Sequence, residues 1–205
     1  MPVRIKICGI TNVEDALLAA GLGADALGFI FYAKSPRGVT VPVASEICRA
    51  VPPFVSRVGV FVNESEQAIN EAVVACRLTA VQLHGEESPE FCRRFAVPVI
   101  KVVRVRDATS IAEAAGYEVD ALLLDTYTAA SHGGTGRTFD WSLAVQAKSL
   151  RRPVILSGGL TADNVADAIR AVQPYAVDVA SGVESAPGRK DAAQLCRFIS
   201  QCKLN

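Results

Sequence analysis

Two side chains stand where they can trade protons with a small molecule. Cys8 closes the run Lys6-Ile7-Cys8 and is followed by Gly9; Asp125 closes Ala121–Leu124. A thiol is mostly protonated at neutral pH, so Cys8 serves as a base only with a proton-transfer partner or a nearby positive charge. Otherwise it is a small buried hydrophobe. A single carboxyl delivered by an apolar strand caps a helix or sits solvated in a loop. Equally, the apolar run Leu122-Leu123-Leu124 is expected to wall it in and favour its protonated, acid form. Arg37, in Lys34-Ser35-Pro36-Arg37-Gly38, is stiffened by a proline and a glycine, which suits a placed anion contact as well as an ordinary surface arginine. Two glycine loops complete the set: Ser157-Gly158-Gly159 and Ala180-Ser181-Gly182. Each follows an apolar run and precedes a helical stretch, so backbone N–H groups and a helix dipole can meet a phosphate there.

These groups must be held by regular elements. Short β-branched runs predict strands at 3–7, 26–31, 56–62, 80–83, 99–105, 121–124, 154–156 and 176–179. Several are apolar almost throughout, as parallel strands covered on both faces are. Stripes at helical spacing lie between them, for example Val13, Ala16, Leu17 and Ala20, or Val165, Ala168, Ile169 and Val172. Thr11-x-x-Glu14 reads as a capping box, and Ser88-Pro89 as a cap followed by a first-turn proline. Eight strands alternating with eight helices leave a doubly wound sheet or a (β/α)8 barrel. Gly21-x-Gly23-x-x-Ala26 has the letters of a dinucleotide fingerprint but precedes a strand, so it reads as a turn. The expected fold is a single-domain α/β (β/α)8 TIM barrel spanning 1–205. In such a barrel Cys8, Arg37, His84, Asp125, the two glycine loops and Asp178 all fall at or after the C-terminal ends of strands, the working face. Thr126 to Phe139 is the longest connection, and its Gly133, Gly134 and Gly136 suit a lid over a ligand.

Composition narrows the classes. Of 205 residues half are apolar, and 21 basic side chains balance 21 acidic ones, so no net field draws the chain to nucleic acid or an anionic membrane. No apolar run is long enough for a membrane span, and the N-terminus lacks a signal-peptide pattern. A cytoplasmic location is expected, and a monomer before a homodimer. The six cysteines contain no CxxC pair and only two histidines accompany them, so no metal site is expected.

KICGIT, GFIFYAKSPRGV, GVFVN, VQLHG, LLLDT with GGTGRTFDW, SGGLTADNV and VDVASGVESAPGRKD occur in this order along essentially the whole chain. Together they resemble the phosphoribosylanthranilate isomerases of tryptophan biosynthesis. The resemblance implies an Amadori rearrangement of N-(5-phospho-β-D-ribosyl)anthranilate to 1-(2-carboxyphenylamino)-1-deoxy-D-ribulose 5-phosphate, with no cofactor. It also implies roles: Cys8 as general base, Asp125 as general acid and Arg37 on the anthranilate carboxylate. His84 and Asp178 would contact the ring and hydroxyls, and Gly158, Gly159, Ser181 and Gly182 the phosphate. An isomerase of histidine biosynthesis would be expected to carry a carboxylate in place of Cys8. An indoleglycerol phosphate synthase would be expected to have a catalytic lysine and an N-terminal extension. A catalytically dead phosphate-ligand binder would not need Cys8 and Asp125 together.

Overall fold

The computed structural model describes residues 2–126 and 140–204. Eight parallel strands close into a barrel: β1 (Arg4–Cys8), β2 (Ala26–Ile30), β3 (Ser56–Phe61), β4 (Ala80–Leu83), β5 (Val99–Val105), β6 (Ala121–Thr126), β7 (Val154–Leu156) and β8 (Ala176–Val179). The ring closes where β1 pairs with β8, Ile5 facing Val177 and Lys6 facing Asp178. Helices α1 (Val13–Leu22), α2 (Val41–Ala50), α3 (Glu66–Cys76), α4 (Pro89–Cys92), α5 (Ala108–Ala114), α6 (Trp141–Ala147), α7 (Val165–Val172) and α8 (Ala192–Lys203) follow the strands in turn. The barrel reading holds, with strand ends shifted by up to two residues.

Alternation along the strands divides the core. Odd-numbered β1 residues Ile5 and Ile7, with Leu27, Phe29, Leu122, Leu124 and Val177, point outward and join the helix stripes in the larger apolar cluster. Inside the barrel a smaller cluster of Val58, Ile100, Val102, Ala121, Leu123, Ile155 and Ala176 fills the floor. Above that floor the inward positions turn polar: Lys6, Cys8, Gln82, Asp125 and Asp178 are all buried. The interior is therefore sealed by apolar side chains at one end of the barrel and gathers polar groups at the other.

Local signals were met in part. Ser88 Oγ accepts from Phe91 N–H with Pro89 in the first turn, and Gly23 (φ +102°) ends α1 as the turn reading requires. The Thr11 capping box is corrected. The cap of α1 is Asn12, whose side chain accepts from Asp15 N–H at 2.8 Å. Thr11 is drawn away because its hydroxyl donates to Gly188 O at 2.5 Å. That carbonyl belongs to a hairpin absent from the sequence reading, β9 (Glu184–Ala186) and β10 (Arg189–Lys190), lying between β8 and α8.

Candidate active site

A cavity of about 500 Å³ opens at the C-terminal ends of the strands. Its wall brings together Cys8, Arg37, His84, Asp125, Gly158, Gly159, Asp178, Ser181 and Gly182, which are nine of the expected site residues. The lid glycines Gly133, Gly134 and Gly136 lie outside the described residues.

The Cys8 corner is crowded with charge. Lys6 shares the inward face of β1 with Cys8, and its ammonium donates to Asp178 Oδ1 at 2.8 Å with both side chains buried. Asp178 Oδ2 also accepts from Ser157 Oγ at 3.3 Å. Gly28, opposite Cys8 on β2, leaves room for this: a Cβ there would sit 2.8 Å from Cys8 Sγ and 3.1 Å from Lys6 Nζ. Any side chain at 28 would enter the space into which thiol and ammonium converge. Burial pushes the Cys8 thiol up, and Asp178 adds to this, while Lys6 and Lys190 pull it the other way. Burial also opposes charge on Lys6, but Asp178 and Cys8 outweigh it and hold the ammonium above its ordinary value.

Across the ring, three strands from β1 by way of β8 and β7, the Asp125 corner is built differently. His84 Nε2 lies 3.6 Å from Asp125 Oδ2, and His84 Nδ1 lies 3.4 Å from Gln82 Nε2. Gln82 Oε1 and His84 Nε2 are buried polar atoms with no hydrogen-bond partner among the described residues. Such atoms are rare in folded proteins unless something else satisfies them. The expected apolar wall is corrected here. Leu122 and Leu124 alternate outward into the helix layer, and only Leu123 shares the inward face with Asp125, in the floor below it. The neighbour of Asp125 on β5 is Arg104, whose guanidinium donates to His84 O at 3.0 Å. The loop bearing His84 is fixed from outside the barrel, where buried Lys101 donates to Gly85 O (2.7 Å) and to Glu87 (2.8 Å). Glu87 in turn accepts from the Asn63 and Gly85 N–H groups, and Lys101 with the Asn63 N–H holds its carboxyl below the usual range despite burial.

Two further walls fit the ends of an elongated anionic ligand. Gly158 and Gly159 are both left-handed (φ +83° and +67°), a curl that brings bare main chain to the cavity wall. The curl is held by Asn164 Nδ2 donating to Gly159 O at 2.9 Å. Beside it a 3-10 turn over Ser181–Val183 leaves β8. On another wall Arg37 is held by Glu184, with Nε donating at 2.9 and 3.0 Å and Nη2 at 2.7 Å. Glu184 also accepts from Lys190 Nζ at 2.8 Å, and these two cations keep its carboxyl below the usual range despite burial.

Lys6, Gln82, Glu184 and Lys190 were missed as site residues. Parity offers a signal for the first two, since each sits two residues before an expected site residue at or just past the end of its strand. None exists for Glu184 and Lys190, which reach the site through an unpredicted hairpin.

Known proteins match this chain along its length. The family model N-(5'phosphoribosyl)anthranilate (PRA) isomerase matches residues 5–201. The N-(5'-phosphoribosyl)anthranilate isomerase of Pelobacter propionicus is 54% identical over 201 residues, 98% of this chain and 96% of that protein. Phosphoribosyl anthranilate isomerase in complex with reduced 1-(o-carboxyphenylamino)-1-deoxyribulose 5-phosphate superposes with a TM-score of 0.90 at 46% identity, covering 99% of this chain and 100% of the other. Monomers of the dimeric Thermotoga maritima enzyme superpose with a TM-score of 0.90 at 44% identity, over 99% and 100% of the two chains. The chain belongs to the phosphoribosylanthranilate isomerase family, aldose–ketose isomerases of tryptophan biosynthesis.

Proposed function

We propose that this cavity carries out the Amadori rearrangement with Asp125 as general acid and Cys8 as general base. Asp125 donates a proton to the furanose ring oxygen while the anilino nitrogen lone pair expels it, giving an open-chain iminium. Cys8 then takes the proton from C2′, and the electron pair moves to form an enolamine. Proton loss from the C2′ hydroxyl and gain at C1′ yield the ketose. The buried thiol is helped at the second step, because the cationic iminium and the Lys6 ammonium both favour a thiolate between them. The scheme asks for no cofactor.

The remaining roles follow from the walls. Gly158, Gly159, Ser181 and Gly182 take the phosphate, and Arg37 the anthranilate carboxylate. Glu184 occupies the Nε edge of Arg37, leaving the other Nη2 hydrogen and both Nη1 hydrogens for that carboxylate. His84 Nε2 and Gln82 Oε1 face ligand hydroxyls, and Asp178 keeps lone pairs for them beyond its bonds to Lys6 and Ser157. The observation that carries the reading is the single cavity in which a thiol beside an ammonium, a carboxyl beside a histidine, an arginine and two glycine loops meet. The test is loss of anthranilate fluorescence when the purified protein meets the phosphoribosyl adduct. Turnover that ends in the ketose is expected; no turnover above the uncatalysed rate overturns the reading.

The same reading treats 1–205 as one domain, since β1 pairs with β8 and both chain ends serve one barrel. It places the protein in the cytoplasm; no described helix is long and apolar enough to cross a membrane. A monomer is proposed because the exposed large apolar side chains are divided among α1, α2, α3, α6 and separate loops. Sedimentation of a dimer, the state named for the Thermotoga maritima relative, would overturn that part alone.

A further inference from the structure

The Glu184–Lys190 pair lies outside the acid–base scheme, yet it is among the most deeply buried charged pairs described. The side chain of Lys190 is fully inaccessible and that of Glu184 only 4% exposed. Such a pair is costly to desolvate and is retained only with good geometry or a further use. Here the geometry joins three loops. Lys190 Nζ donates to Cys8 O at 2.6 Å, to Ala180 O at 3.2 Å and to Glu184 Oε1 at 2.8 Å. The hairpin carrying the pair is fastened by Asp15 Oδ2 accepting from Lys190 N–H at 2.9 Å and by the Thr11 hydroxyl on Gly188 O.

Glu184 then passes this rigidity to Arg37. It grips the Nε edge of the guanidinium with both oxygens, so the plane of Arg37 is set by a carboxylate that is itself immobile. The stem of Arg37 is seated too. A Cβ on Gly9 (φ +76°) would stand 2.7 Å from Arg37 Cδ, so the arginine lies directly over the backbone that follows Cys8.

We infer that Glu184 is a specificity-determining positioning residue: held by Lys190, it aims the free edge of Arg37 at the substrate carboxylate. This rests on the reading that Arg37 binds that carboxylate. An unheld arginine samples many rotamers and meets a carboxylate or any other acceptor with little preference. One locked at its Nε edge presents a planar fork in one orientation, so it rewards a carboxylate that matches and leaves donors unpaired when none is there.

The experiment compares kcat/KM for the phosphoribosyl adducts of anthranilate and of aniline, which lacks the carboxylate. Arg37→Met, Glu184→Gln, Glu184→Asp and the Arg37→Met/Glu184→Gln double variant are used, each checked for fold by circular dichroism. Glu184→Asp keeps the charge beside Lys190 but withdraws the fork from Arg37, and it is read alone if Glu184→Gln does not fold. Each Glu184 variant is expected to lower the preference for the anthranilate adduct at least about fivefold, mainly through KM. The double variant should match Arg37→Met within about twofold, because Glu184 acts through Arg37. If Arg37→Met lowers the preference and the foldable Glu184 variants do not, the inference falls and the reading of Arg37 stands. If Arg37→Met itself leaves the preference unchanged, the Arg37 reading fails and takes the inference with it.

Discussion

The two corners of the cavity are satisfied in opposite ways. Around Cys8, Lys6 is bonded to Asp178, Asp178 to Ser157, and Lys190 to three acceptors, so the charges are answered within the protein. Around Asp125, Gln82 Oε1 and His84 Nε2 stand without partners among the described residues, and the nearest His84–Asp125 approach is 3.6 Å. In the proposed scheme Cys8 becomes an anion inside the barrel, and that needs a countercharge built in. In the same scheme the Gln82 and His84 atoms without partners among the described residues are the ones that meet the ligand's hydroxyls. On that reading one corner is organised before substrate arrives, and in the other Gln82 and His84 find partners on it.

The sharpest way to break this contrast is at the acid. Asp125→Asn should fold normally and lose at least about 10³-fold in kcat, the middle of the range for a positioned acid. Fluorescence turnover within tenfold of the unmodified protein would move the acid to His84. Next comes a stability effect confined to the organised corner. Asp178→Leu leaves the Lys6 ammonium buried without its partner and should cost about 3 kcal/mol in chemical denaturation. An unchanged midpoint would mean that the corner is not held by that pair.

Cys8→Ala should lose at least about 10²-fold in kcat with little change in the denaturation midpoint. Near-normal turnover would return Cys8 to the inert core thiols. The thiol has a pH signature as well. Because burial holds it above its ordinary value, its protonated form outlasts that of a free thiol as pH rises. Iodoacetamide should therefore alkylate Cys8 slowly at neutral pH, with the rate still climbing beyond the ordinary thiol range; a plateau below that range in peptide mapping would reverse the assignment. The smallest effect is expected at Gln82. Replacing it by Leu removes an amide whose oxygen has no partner among the described residues and whose nitrogen makes one long contact, so stability should change by less than about 1 kcal/mol, while KM rises. Destabilisation as large as that of Asp178→Leu would erase the difference between the corners.

How much of this was visible in the residues depends on how local each feature is. β4, β5, β7 and β8 were legible to the residue because parallel strands covered on both faces are near-continuous apolar runs with few alternatives. The strand-end rule found Cys8, Asp125 and the glycine loops for the same reason. What failed was side-chain direction. Leu122-Leu123-Leu124 looks like a wall only until alternation sends two of the three outward. Lys6 looks like a surface lysine until barrel closure sets Asp178 beside it. The hairpin at 184–190 is too short to carry a periodicity, and its tie to Thr11 spans 177 positions, which no local pattern reports.

The seam between β1 and β8 also sets a timetable for the making of the enzyme. Cys8 leaves the ribosome well before the groups that answer it: Lys190 follows it by 182 positions, and Asp178 follows Lys6 by 172. Contacts of such separation form late, after the entropy of closing a long loop has been met. A nascent chain that stops short of β8 therefore holds Lys6, Cys8 and Asp125 but lacks Asp178, Lys190 and the turn at Ser181. Under the proposed scheme the surroundings of Cys8 are therefore complete only once β8 and the hairpin after it are in place.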